Sequence, residues 1–209
     1  MATLRWKRRK EARPSELLDA AVSVFAEKGF TAARLDDIAA RAGVSKGTVY
    51  LYFDSKEDIL RALIKAIPVA RVETVAQLAE TDAGPADQTL RKVLQLIGAS
   101  IRDPAMIQFP RLVIGESGNF PWIAETYRQE VISLGIGILS GVISKGIAQG
   151  RFRSVDPKLA AFGAMSPILF VAIWRTTFER FDDAPLDAQA LIDQHIETFV
   201  RGLAREGGT

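Results

Sequence analysis

The chain has 209 residues, enough for one large or two small domains, and 48% apolar with 25% charged residues is the balance of a globular protein. It has no cysteine and one histidine, His195, which excludes a disulfide framework, a thiolate metal site and a multi-histidine metal site. The net charge of +2 is uneven: residues 1–65 carry 13 Lys and Arg against 9 Asp and Glu, whereas residues 66–209 carry 14 against 16, so one end is suited to a polyanion.

The opening MATLRWKRRK is charged with no apolar core behind it and does not read as a secretory signal, so a cytoplasmic protein is expected. Residues 1–13 hold six basic residues against one acid and are expected to form a basic flexible arm. Such an arm either tracks a phosphate strand or the minor groove, or is a solvated tail that adds nonspecific affinity. The lack of a folding pattern around Trp6 favours the tail. From Pro14 onward the periods are helical throughout and an all-α fold is predicted. Pro14 is expected to open a first helix with Leu18, Ala21, Val22 and Phe25 on one face, closed by Gly29. A short second helix runs from Leu35 to Ala42 and stops at Gly43. Ser45 is a good N-cap for a third, to about Tyr52, and Ser55 for a fourth with Glu57 and Asp58 in its first turn. Pro68 should kink or end that fourth helix.

A stripe of Leu90, Val93, Leu94, Ile97 and Ile101 follows. Pro104 and Pro110 bracket a shorter piece to about Gly115, and Pro121 starts a long helix ending at Gly150. Asp156 with Pro157 is an N-cap and N1 pair. Asp187 caps a last helix with Ile192, Ile196, Phe199 and Leu203 on one face. The longest uncharged runs, residues 131–144 with 14 residues and 159–174 with 16, are short of the roughly 18 that a membrane span needs, so no membrane partner is expected.

Residues 35–54 fit a helix-turn-helix. Ala39 allows two helices to pass closely, Gly43 allows a left-handed turn, and Ile38, Ala42, Val44 and Val49 supply the buried side. The stretch GVSKGTVYLYF (43–53) then presents an outward helix start. Free N–H groups after Ser45 suit phosphate. Lys46 can reach a phosphate or a guanine edge, Gly47 lets a DNA backbone approach, and Thr48, Tyr50 and Tyr52 offer hydroxyls. Lys56 adds charge from the next helix.

Residues 14–65 resemble the DNA-binding domain of the TetR family of bacterial transcriptional regulators, through LLDAAVSVFAEKGF (17–30), LDDIAARAGVSKGTVYLYF (35–53) and SKEDIL (55–60). GESGNFP (115–121) and GRFRSVDPKLAA (150–161) also look like segments of family members. The resemblance implies an N-terminal helix-turn-helix head of three helices and a C-terminal helical bundle that forms a dimer and often binds a small molecule. It assigns DNA contact to Lys46, Gly47, Thr48, Tyr50, Tyr52 and Lys56. Many members have threonine where this chain has Ala33. The cap of the second helix is therefore missing, and Arg34 can supply the phosphate contact by charge.

The division expected is an arm at 1–13, a helix-turn-helix domain at 14–65 and a ligand-binding and dimerisation domain at 66–209. FGAMSPILFVAIW (162–174) is apolar on every face, which implies a core plus either a partner subunit or a cavity. The bodies are expected to pair through helices near 158–180 and 187–204 about a two-fold axis, facing a near-palindromic operator in double-stranded DNA. Phe109, Trp122, Phe162, Phe170 and Trp174 are candidate cavity lining, with Arg111, Glu116 and Arg175 to orient a neutral or lipophilic effector; the alternative for the aromatics is solid core. The glycines of GIGILSG (135–141) either permit close helix packing or leave room for a ligand. No catalytic constellation, cofactor or metal site is read. The function expected is a dimeric, sequence-specific repressor released by a small apolar effector. The alternative is a DNA-binding regulator with no small-molecule effector, governed by a protein partner.

Overall fold

A computed structural model describes the backbone of residues 2–205, with the side chains of residues 1–13, 67–71, 104 and 105 outside the described residues. Among the described residues ten α-helices follow in order: α1 Ala2–Ala32, α2 Leu35–Arg41, α3 Lys46–Tyr50, α4 Lys56–Thr81, α5 Ala86–Gly98, α6 Pro104–Glu116, α7 Pro121–Tyr127, α8 Ser133–Ala148, α9 Pro157–Ile173 and α10 Ala188–Leu203. A π-helical turn, Arg128–Ile132, joins α7 to α8, and another, Trp174–Phe178, extends α9. No strand occurs among the described residues; Phe152 and Ala204 form an isolated bridge.

The caps are local and fall where the sequence puts them. Ser45 Oγ accepts from Thr48 N at 3.2 Å and Ser55 Oγ from Asp58 N at 3.1 Å. Asp156 accepts from the amides of Lys158 and Leu159, and Asp187 from that of Ala190. Gly43 and Gly150 carry positive φ at 67° and 69°, closing the helices before them, and Gly29, at 76°, kinks α1 near its end.

Pro14 acts differently from expectation, and of the two outcomes expected of Pro68, a kink or an end, the end does not occur. α1 begins at Ala2, so Pro14 lies inside a helix rather than opening it, and the backbone of the basic arm is helical. Ala, Arg, Lys and Glu before Pro14 are strong helix formers, and their summed propensity outweighs the one hydrogen bond that the proline lacks. The side chains of that arm lie outside the described residues. α4 likewise continues through position 68 to Thr81.

The chain forms two compact units. One holds residues 1–66 together with 112–126; the other holds 67–111 and 127–209. The head is therefore not continuous in sequence, as the expected boundary at 65 had it. Phe30 is the reason: its ring is fully buried and packs edge-on against Phe25, Phe120 and Trp122, at centroid distances of 5.3, 5.1 and 6.3 Å. Leu17, Ile38, Val49, Ile59, Leu60 and Ile123 complete that core.

The second unit packs α5, α8, α9 and α10 around Leu90, Leu94, Leu139, Ile143, Ala164, Val171 and Ile192. Gly146 is its tightest approach, since a Cβ there would overlap the buried Phe152 ring. Gly135, Gly137 and Gly141 have nothing within 4 Å of a Cβ, so they do not serve packing within the chain. By length and composition alone, Pro121–Ala148 and Pro157–Phe181 are long and apolar enough to cross a membrane. Helix continuity across the π-turns gives them a length that the uncharged runs alone did not suggest. Each nonetheless buries a side in the core, through Ile136, Leu139 and Ile143 or Ala161, Ala164 and Val171.

Gly146→Ala is expected to lower the stability of this unit by about 1–3 kcal/mol through overpacking against Phe152, read by denaturant unfolding. Gly137→Ala, which meets open space, should leave it unchanged or slightly raise it.

Candidate nucleic-acid interface

The helix-turn-helix is built by backbone geometry. Gly43 N donates to Ala40 O and Val44 N to Ala39 O, the paired bonds of a Schellman turn, with Gly43 left-handed. α2 and α3 then cross with Ile38, Ala39 and Val49 buried. The start of α2 has no capping oxygen from Arg34, but Asp37 accepts from Arg34 N at 3.1 Å and fills half of that role. Asp37 is also bonded by Lys28 Nζ at 2.8 Å, and that bond, ahead of the Arg34 amide, holds its carboxyl below the usual range.

α3 has five residues and is shorter than predicted. Its dipole is correspondingly small, and Ser45 already takes the Thr48 amide, so the face depends on side chains more than on free N–H groups. With Val49 fully buried, Lys46, Gly47 and Tyr50 turn outward, Tyr50 at 48% exposure. The nearest atom to a Cβ on Gly47 is Ser45 Oγ, at 3.8 Å. Thr48 and Tyr52 are half-buried, and the Thr48 hydroxyl is 2.9 Å from Ser45 Oγ. Arg34 is exposed.

Lys56 departs from its expected role. Its ammonium donates to the carbonyls of Phe30, Thr31 and Ala33 at 2.8, 2.9 and 3.2 Å and lies 4.8 Å from the Phe30 ring centroid. Its three protons are thus committed to the end of α1. Glu116, read as a group that would orient a ligand, instead accepts from Phe30 N at 2.9 Å and from the Thr31 hydroxyl at 3.1 Å. Two residues that sequence reasoning did not single out belong to the face. Asp36 pairs with Lys46. Leu51, 79% exposed, follows Tyr50, and the burial of Val49 was the signal that could have pointed it outward.

The candidate effector residues do not share one lining. Trp122 belongs to the head unit, beneath the Arg61 guanidinium at 4.1 Å, which corrects its expected place in the body. Phe109 is buried beside Tyr127, whose phenol is pushed up by burial. Arg111 is exposed, and Arg175 donates to Ile101 O. Phe162 and Phe170 are about half exposed on α9, so neither is solid core in the single chain. Phe170, Trp174 and Phe178 form a ladder at 5.6 and 5.4 Å, with Trp174 Nε1 donating to Asp182. His195 lies between α10 and α9, with Nε2 3.3 Å from Ala164 O; burial lowers its pKa, partly offset by that bond.

The two lysines should separate in experiment. Lys56→Met removes three charge-assisted bonds and leaves carbonyls unpaired, costing the head about 2 kcal/mol or more, seen as a lower thermal midpoint. Lys46→Ala should leave the midpoint unchanged and weaken DNA binding only.

Residues 17–63 match the family model described as bacterial regulatory proteins of the tetR family, and residues 88–204 match the AefR-like transcriptional repressor C-terminal domain. The chain is 28% identical over 203 residues to the fatty acid metabolism regulator protein of Bacillus subtilis (strain 168), covering 93% of this chain and 98% of that protein. It is 32% identical over 156 residues to the HTH-type transcriptional repressor KstR2 of Rhodococcus jostii (strain RHA1), covering 72% and 74%. Among solved structures, the transcriptional regulator FadR from Bacillus subtilis in complex with stearoyl-CoA superposes with a TM-score of 0.70 at 25% identity, over 90% of this chain and 98% of that one. Two family models and relatives matched over most of their length agree with the helix-turn-helix geometry: the chain belongs to the TetR family of bacterial transcriptional regulators and is not an enzyme.

Proposed function

We propose that the protein is a homodimeric transcriptional repressor whose heads read a near-palindromic operator and which an effector with a long apolar chain releases. The observation that carries the DNA reading is the outward set Lys46, Gly47 and Tyr50 around a fully buried Val49. Arg34, Ser45, Thr48 and Tyr52 join them at the same face. Lys56 leaves the contact set because its protons are used internally. Lys46 and Arg34 act on phosphate or a guanine edge, and the hydroxyl-bearing residues fix register.

Pairing of two bodies is supported by the apolar groups that the single chain leaves in water. Leu159 is 70% exposed, and Phe162 and Phe170 are about half exposed on α9 beside α10. Such a face on consecutive helices suits an isologous contact about a two-fold axis, which also sets two heads on successive major grooves. An apolar-chain effector is supported by similarity to a regulator named for fatty acid metabolism and to one solved with stearoyl-CoA. The uncharged run along α8 and most of α9, with open space at Gly135, Gly137 and Gly141, fits an acyl chain. The phosphates of a CoA head would carry charge, which departs from the expectation of a neutral effector. Binding would shift the dimer toward a population that no longer fits one operator.

Selection from random duplex DNA at near-physiological salt is expected to enrich a near-palindrome with half-sites about one helical turn apart. A folded dimer that enriches nothing would overturn the DNA reading. Stearoyl-CoA is expected to raise the thermal midpoint, by an amount equivalent to about 2.7 kcal/mol at a hundredfold excess over Kd, and to release the selected duplex, while CoA alone does neither. No shift with any acyl-CoA would favour the regulator governed by a protein partner.

A further inference from the structure

The DNA face of the head holds more acid than phosphate binding needs. Lys28 pairs with Asp37, Arg41 with Glu27 and Lys46 with Asp36. The first two pairs tie α1 to α2 and so have a structural use. The third has none of that kind, because α2 and α3 are already fixed by the Schellman turn and the buried Ile38, Ala39 and Val49. Both Asp36 oxygens lie 3.0 Å from Lys46 Nζ, and the two side chains are 58% and 55% exposed. Asp36 raises the lysine pKa through that bond, so the ammonium stays charged but is opposed. Lys46 also leans toward the Tyr50 ring, 6.0 Å from its centroid, which keeps the pair beside the outward residues of α3.

Resting on the DNA-binding reading above, we propose that Asp36 is a specificity-determining residue: it holds Lys46 in a charge-neutral pair against random duplex and yields it only where the operator offers a better partner. Nonspecific affinity comes from neutralising phosphates and releasing counterions. A lysine bonded to a carboxylate brings no net charge to that exchange. Freeing Lys46 breaks only an exposed ion pair, which is weak, but it leaves the Asp36 carboxylate facing the phosphates and repelling them. Random sequence returns a phosphate contact alone. A guanine edge presented at the right register returns two acceptors to the ammonium. The repulsion is common to all DNA, whereas the compensation belongs to the operator.

The test compares wild type with Asp36→Asn on two labelled probes of equal length, a mixed-sequence duplex and the selected duplex, by fluorescence anisotropy over a range of salt. Asp36→Asn is expected to tighten binding to mixed-sequence duplex by roughly two- to five-fold per head. It should steepen the logarithmic salt slope by about 0.9 per head. The selected duplex should tighten less, so discrimination falls. In a Lys46→Ala background the same substitution should relieve repulsion alike on both probes and so leave discrimination unchanged, and Asp36→Glu should keep wild-type discrimination. Circular dichroism checks that α2 survives loss of an acid from its first turn, and Asp36→Ser carries the same comparison if asparagine disturbs it. Unchanged affinity and slope on both probes, or weaker binding on both, would overturn the proposal while leaving the DNA-binding reading intact. Failure of wild type to bind either probe would overturn that reading and the proposal with it.

Discussion

The head depends on one turn, residues 29–33, whose backbone is held by opposite charges from two distant parts of the chain. Gly29 takes a positive φ of 76° and kinks α1 three residues before its end at Ala32. Beyond it the Phe30 amide and Thr31 hydroxyl donate to the Glu116 carboxylate, while the carbonyls of Phe30, Thr31 and Ala33 accept from Lys56. Phe30 sits between these charges with its ring in the core. Groups at the end of a helix and the start of a turn would otherwise be unsatisfied next to apolar side chains, at a cost of 1–3 kcal/mol or so each. Because α2 starts immediately afterwards and fixes α3 through the Gly43 turn, the orientation of the outward residues follows from this clamp.

The same residue type does different work within ten positions. Lys46 and Lys56 both stand at the first residue of a helix. Lys46 is exposed and held by one carboxylate that a competing anion can replace. Lys56 is half-buried and held by three carbonyls that nothing in solution replaces. What separates the two lysines is the number and fixity of their acceptors, and that is a property of the packed head.

The body presents the complementary case. Its helices α8 and α9 bury one side in a shared core and leave apolar residues on another. A helix that is apolar all round has more than one face to cover. The proposed second subunit and apolar-chain ligand would cover those faces.

The sequence by itself determined the helices, their caps and the family. Ser45, Ser55, Asp156 with Pro157, and Asp187 cap amides two or three residues away, and Gly29, Gly43 and Gly150 take the positive φ their positions require. These signals are legible because cause and effect lie within one turn of chain. Tyr50, Lys46 and Gly47 were likewise legible as outward residues from the helix-turn-helix pattern, and all three are exposed while Val49 is buried. Tertiary structure alone decided that residues 112–126 join the head, that Trp122 lies under Arg61 and away from the body, that Lys56 is internal and that Asp36 opposes Lys46. The Phe30–Glu116 bond spans 86 positions. No local period encodes a contact at that separation; it exists only once burial of Phe30 has brought the two segments together.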